Sequence, residues 1–527
     1  MKPPDRGSYL VAAGILLSRI AGLIRQRIFS HYLGISAASE VWNAAFRIPN
    51  FLQNLFGEGA LSASFIPSYS RLLGEGNEEE ARRLAGAVLA LLSCTVAVLV
   101  LLGELATPAL VGLIVPRFSS EMRELTGTLV RILFPAAGLL VLSAWCLGVL
   151  NSHRRFLLSY AAPVVWNAAI ILTVLFAGSG RGDTRFVIVA AWGAVLGSLL
   201  QIAVQWPVVR SVGGHLRPQN WRGVPAVPHV VRSFLPNLIS RGANQISALI
   251  DLWIANFIPG AVTAMSNAQV LYTLPVSLFG MAISAAELPE MARQSGAAES
   301  VAQALRVRLD AATQRLAYYI VPSAVGFICL GGVISAAVFQ TGRFGHADSM
   351  YVWIVLAGSS IGLLASTLGR LYASTFYALH DTTTPLRCGI VRIVLTGGLG
   401  LLAARTLPGV LGIDPKWGAA GITASAGVAG WVEFVLLRRG LCRRLGRFDL
   451  PTRELAKLWT AAIVAGLTST AVRLILPADT SSFPLLLATV PLNAVVYLGV
   501  TTWWDIPEAA VLTGQIRRLL DRPRSGA

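Results

Sequence analysis

Residues 84–115, LAGAVLALLSCTVAVLVLLGELATPALVGLIV, contain a single charged side chain, Glu104. A stretch that long and that apolar has few ways to fold. About 20 such residues in a helix cross the hydrocarbon of a bilayer, where every backbone N–H and C=O must find its partner within the segment. About fourteen segments of this length recur along the chain. They lie near 8–33, 38–69, 84–115, 122–150, 156–178, 185–211, 230–258, 262–288, 307–340, 348–379, 385–405, 416–438, 455–476 and 482–503. The pattern specifies an all-α polytopic membrane protein. Composition agrees, since 54% of the 527 residues are hydrophobic and only 13% are charged, about half the charged share of a soluble domain.

The net charge of +17 would point to nucleic acid in a soluble protein. Here Lys and Arg gather in short loops instead: Arg71, Arg82 and Arg83; Arg154 and Arg155; the 210–232 linker; and LRRGLCRRLGRFDLPTRELAK at 437–457. An even number of spans puts all of these on one side. The positive-inside rule then places both termini in the cytoplasm and leaves nucleic acid without a role. Lys2 and Arg6 precede the first apolar run, but no small-residue cleavage site ends it, so it reads as a retained span. The segment 504–527 is too polar to cross and is expected at the membrane surface. Cys94, Cys146, Cys329, Cys388 and Cys442 form no CxxC pair, which argues against a metal or disulfide framework. No P-loop or HExxH occurs, so no enzyme site is expected.

The chain repeats itself. Ser18-Arg19 recurs as Ser240-Arg241, Pro49 as Pro275, Phe56-Gly57 as Phe279-Gly280, Pro67 as Pro289 and Arg71 as Arg293, at offsets of 222–226 residues. GVLNSHRRFLLSYAAP before the fifth span has a counterpart in STFYALHDTTTP before the eleventh. This divides the chain into an N-lobe of six spans (1–212), a cytoplasmic linker (213–228), a C-lobe of six spans (229–440), two further spans (441–503) and the interfacial tail (504–527). Six is even, so the lobes share topology, and such parallel repeats place substrate between them near mid-membrane. That directs attention to spans 1 and 2 and their repeats 7 and 8.

Polar residues concentrate in those spans. A charge in hydrocarbon costs about 2.5–3.5 kcal/mol on insertion scales, so it usually faces a wet interior. Span 1 carries Arg19, Arg25 and Arg27; span 2 carries Glu40, Arg47 and, between two glycines, Glu58. Arg19 and Arg25 stand about 120° apart on a straight helix, and Gly22 between them permits a bend. Guanidinium suits bidentate binding of phosphate; snorkelling to the interface is the competing reading for Arg25 and Arg27. Glu58 fits either an internal ion pair or a gate. Span 7 offers Arg241, Asn244, Gln245 and Asp251, which can line a cavity, coordinate a cation or hydrogen-bond helices together. Glu287 sits at the end of span 8, where an interfacial carboxylate is expected.

SRIAGLIRQRIFSHYLG followed by NAAFRIPNFLQNLFGEGALSASFIPSYSRLL resembles the start of the MurJ (MviN) family, lipid II flippases of the MOP exporter superfamily. The resemblance extends through NSHRRF, DTTTP and the two extra C-terminal spans. It implies transport of undecaprenyl-pyrophosphate-linked disaccharide-pentapeptide from the inner to the outer leaflet of the bacterial inner membrane by alternating access. It also implies a peptidoglycan role alongside membrane lipids and cell-wall synthesis proteins. By the same resemblance Arg19 and Arg25 match cavity arginines that engage pyrophosphate, Glu58 matches the family's helix 2 glutamate, and Glu40 stands where aspartate is usual. Spans 13 and 14 would form the lipid-tail groove. No cofactor is implied; Na+, H+ or membrane potential is left as the energy source, and of the family's sodium site only Asp251 is present.

The chain departs from the family pattern at three places. The basic pair before the FxEGA segment is Gln53-Asn54, the acidic residue after the second span-1 arginine is Gln26, and the basic residue expected before the span-8 proline falls at Gln269 or Val270. Either Arg47 and Arg241 compensate, or the cargo is another lipid-linked glycan or amphiphile. A scaffold that binds the precursor without moving it is the reading from a different class.

Overall fold

The computed structural model describes residues 6–520 apart from 179, 181, 215–218, 220, 282, 284–290, 292–297, 380, 447, 478 and 479. The apolar runs become long helices: α1 (Arg6–Leu33), α2 (Ala37–Phe56), α3 (Glu58–Gly74), α4 (Glu78–Ile114), α5 (Ser120–Ser152), α6 (Phe156–Thr173), α7 (Asp183–Gly213), α8 (Val227–Ala255) and α9 (Ala261–Pro275). Further along come α10 (Ala298–Phe339), α11 (His346–Ser360), α12 (Leu363–Ala378), α13 (Thr383–Arg405), the short α14 (Leu407–Leu411), α15 (Trp417–Leu445), α16 (Thr452–Ile475), α17 (Ser482–Trp503) and α18 (Pro507–Leu520). No strand occurs among the described residues. The fold is all-α and polytopic.

Among the described residues, nine helices are long and apolar enough to cross a membrane, and the α11–α12 pair, bent by 43°, makes a tenth. These correspond to ten of the fourteen expected spans. The four left over are spans 1, 2, 7 and 8, the ones that carry the buried-charge candidates. Span 2 is two helices rather than one. The backbone turns at Gly57, whose N–H bonds back to the Gln53 carbonyl at 2.7 Å, and a Cβ on Gly57 would run into that carbonyl oxygen.

The chain packs as two units, one of residues 1–266 with 341–345 and one of 267–340 with 346–527. The sequence repeat and the packing divide the chain differently, because α8, the first span of the second repeat, belongs to the first unit. That unit has a core where α3, α4, α5, α7 and α8 meet, built from residues such as Phe65, Tyr69, Leu84, Trp145, Val209 and Val230. In the second unit, Tyr497 of α17 donates to the Tyr318 carbonyl of α10 at 2.8 Å, and Arg392 of α13 pairs with Glu433 of α15 at 3.0 Å. Between α12 and α13, Asp381 is buried. It accepts from the Thr383 and Thr384 amides at 2.9 and 3.0 Å and from Arg444 at 2.6 Å, closing the start of α13.

Candidate functional site

Arg25 is the arginine of α1 that packs into the first unit. It lies on the face of α1 turned away from the exposed Leu16, Ile20 and Ile24. Its guanidinium sits 5.1 Å from the Trp166 ring centre and 5.5 Å from that of Phe46. Trp166 comes from α6, where its indole N–H is fixed on the Ala194 carbonyl at 3.1 Å. Phe46 comes from α2, one turn after Trp42, whose ring stands 5.7 Å away. Aromatic faces attract a desolvated cation by about 2 kcal/mol, but they leave its N–H groups unbonded. The Nε and Nη1 atoms of Arg25 are buried with no hydrogen-bond partner. Buried donors are rarely left so. The next residue, Gln26, is buried and carries no charge.

Arg19 and Gly22 precede Arg25 at three-residue intervals, each turned about 60° from the next. The three therefore trace one shallow stripe along α1. A Cβ at Gly22 would meet nothing within 4 Å, so the stripe is open between the two arginines. Arg19 is exposed and Arg25 half-buried. Snorkelling does not describe Arg25, which is caged; Arg27 is exposed on the side of α1 that carries Ile20 and Ile24.

Among the described residues, Arg47, Asp251, Gln245 and Glu40 have partners inside this unit. Arg47 of α2 is attracted by Asp251 of α8. One end further along the same pair of helices, Asn54 donates to Gln245 at 3.1 Å. These two rungs cross antiparallel helices, since the contact moves back along α2 as it moves forward along α8. Glu40 is buried and accepts from the Val262 amide at 3.1 Å, which makes it the carboxylate at the N-terminus of α9, where the helix dipole favours negative charge. Ser39 and Asn43 reinforce that junction through Thr263, at 3.0 and 3.4 Å. The side chains of Glu58, Arg241 and Asn244, and the whole of Glu287, lie outside the described residues.

Sequence reasoning missed the rings that cage Arg25, and it missed the second unit's charges. Arg392 and Glu433 are 30% and 16% exposed, and Arg370 of α12 feels both of them together with Tyr272. The arrangement in the first unit can hold an anion against an arginine fixed by two rings. The arrangement in the second unit carries its own counter-ion.

The comparisons with known proteins agree with this reading of the fold. The family model described as "Lipid II flippase MurJ" matches residues 29–489. The chain is 30% identical over 484 residues, 90% of its length and 87% of the relative's, to the Rhizobium meliloti (strain 1021) protein named "Probable lipid II flippase MurJ". Its structure resembles "Lipid II flippase MurJ, inward closed conformation" with a TM-score of 0.74 at 21% identity, covering 94% of this chain and 98% of that one. A multidrug resistance MATE family transporter of the MOP superfamily in an inward-facing conformation follows at 0.60 and 16%, covering 80% of this chain and 98% of that one. The chain belongs to the MurJ family of lipid II flippases.

Proposed function

We propose that this chain flips lipid II from the inner to the outer leaflet of the bacterial cytoplasmic membrane, with Arg25 as the first ligand of the cargo's pyrophosphate. Arg19 is the second, reached across the open stripe at Gly22. The observation that carries this is the caged guanidinium with two buried N–H groups and no partner. A pyrophosphate oxygen supplies the acceptors that the protein withholds, and a charge-assisted bond of this kind is about twice as strong as a neutral one. In this reading both termini are cytoplasmic, as the loop charges imply, and the repeat lobes alternate access to the two sides.

Asp251 already faces the cation Arg47, and a bound metal ion there would be repelled. The driving force is therefore read as the membrane potential acting on the cargo. Each negative charge moved outward is driven downhill by an inside-negative potential, by about 2.3 kcal/mol per 100 mV. Lipid II translocation in proteoliposomes, with potential and sodium gradients imposed separately, tests both statements. Transport that needs sodium at zero potential would remove the second, and no transport under any gradient would remove the first.

One observation favours a different cargo. Asn54, at a family basic position, is bonded to Gln245 and offers no charge to a pyrophosphate. If purified protein moves another polyprenyl-linked glycan faster than lipid II, that reading replaces the first.

A further inference from the structure

Two short loops, one from each repeat, dock in the same way. The first follows α4 and contains Arg117-Phe118; the second follows α10 and contains Arg343-Phe344. The arginines are 226 residues apart in sequence, and so are Gly34 and Gly260, which follow the first span of each repeat and both take positive φ, +58° and +77°. The four positions are thus two copies of one device, and each loop docks on the first span of the other repeat.

The Arg117 amide donates to Asn256 Oδ1 at 2.7 Å, and its guanidinium lies over the Phe257 ring at 5.4 Å; both partners directly follow α8. In the other copy, the Arg343 amide donates to the His31 carbonyl at 2.9 Å. Its guanidinium donates to the Tyr32 carbonyl at 3.3 Å and to Asp183, at the start of α7, at 2.5 Å. Thr341 and His31 side chains meet at 2.9 Å. Both phenylalanines are buried, Phe118 to 5% and Phe344 to 1%. The fit is close enough to require glycine on both sides. Gly342 takes φ +55° with the His31 carbonyl where a Cβ would be, and a Cβ on Gly34 would come within 2.9 Å of the Arg343 carbonyl. The segment 341–345 joins two helices of the second unit, yet packs as part of the first. All of these contacts lie at the span ends opposite the basic loops.

We infer that the Arg117 and Arg343 loops are paired latches that tie the first span of each repeat to the third span's loop of the other, and that outward opening of the carrier requires their release. A latch works by differential contact. Its bonds are made in one state and lost in the other, so removing them shifts the population toward the open form. The inference rests on reading the chain as an alternating-access carrier.

Two measurements in a cysteine-free background test it. In the first, His31→Cys with Thr341→Cys is oxidised to close the Arg343 latch covalently. Translocation in proteoliposomes should stop and return on reduction, with the reduced protein as its own folding control; undiminished transport while cross-linked overturns the inference. In the second, Ser39→Cys, buried in this state, is exposed to a membrane-impermeant maleimide at the outer face of spheroplasts. Adding Arg343→Ala and Asn256→Ala should raise the labelling rate by roughly tenfold, and an unchanged rate overturns the latch whatever the cargo. If labelling responds while lipid II is not moved, the cargo reading falls and the latch stands.

Discussion

The two units keep arginine within spanning helices by opposite means. In the first, Arg25 is held by ring faces and has no acceptor for two of its donors. In the second, Arg392 is held by Glu433 at 3.0 Å. Rings stabilise a cation without neutralising it, whereas a carboxylate does both. An anion arriving at Arg25 gains a full charge–charge contact; one arriving at Arg392 must compete with a resident carboxylate. The same residue type therefore keeps unbonded donors in one unit and a resident counter-ion in the other.

The strongest way to break this contrast is at Arg25. Arg25→Ala should lower lipid II translocation by about 100-fold or more, as loss of a charged ligand to a buried anion does, while membrane expression holds. Arg25→Lys should recover only part, because an ammonium cannot reproduce the planar fork. Full activity in either variant would dissolve the distinction between the units. At the second unit the expectation is inverted. Arg392→Leu or Glu433→Leu alone should destabilise by about 1–3 kcal/mol, less than for a fully buried pair because both side chains are partly exposed. The double substitution should recover most of that loss, with transport intact, as read by thermal unfolding in detergent and by translocation. A double variant that is stable but inactive would make the pair a ligand site.

Finer tests follow within the first unit. Trp166→Leu should weaken precursor binding by about tenfold through loss of a cation–π face, measured as the concentration dependence of binding to purified protein. Glu40→Gln should cost about 1 kcal/mol of stability, the value of a good helix cap, and leave transport within a few-fold; a loss as large as that of Arg25→Ala would make Glu40 a cargo ligand instead.

A last test concerns the second unit's loop. Burial raises the pKa of Asp381, but hydrogen bonds from Thr384 and Thr383 outweigh it and hold the carboxyl below its usual value. A depressed folded-state pKa stabilises at pH above the unfolded value, about 3.9, and that contribution is lost as pH falls through the folded value. Asp381→Asn should therefore melt lower than the parent at neutral pH, with the gap closing on acidification below about pH 4.

The apolar spans were legible because twenty unbroken hydrophobic residues admit one structure in a bilayer. The charged spans were legible as exceptions, and Arg25 stood out among their charges. Its cage was not, because Trp166 is on α6 and nothing local links the two. Glu40 reads as a cavity acid until Val262, 222 residues later, supplies the amide that it caps. Arg392 and Glu433 escaped notice because they stand 41 residues apart in different spans, and only tertiary packing joins them. The boundary of the packing units was hidden for the same kind of reason: a repeat records ancestry along the chain, while α8 packs with the helices that come before it.

The four charged spans also bear on how the protein is made. α1 leaves the ribosome early, carrying an arginine whose ring partner Trp166 is synthesised 141 residues later. At about 5–20 residues per second, the nascent chain must tolerate that uncaged charge for roughly 7–28 s. During that interval α1 is a poor lodger in lipid, held by its apolar neighbours or by the insertion machinery. Chains truncated before Trp166 should accordingly be extracted or degraded faster than chains truncated just after α7, and Arg25→Leu should abolish the difference.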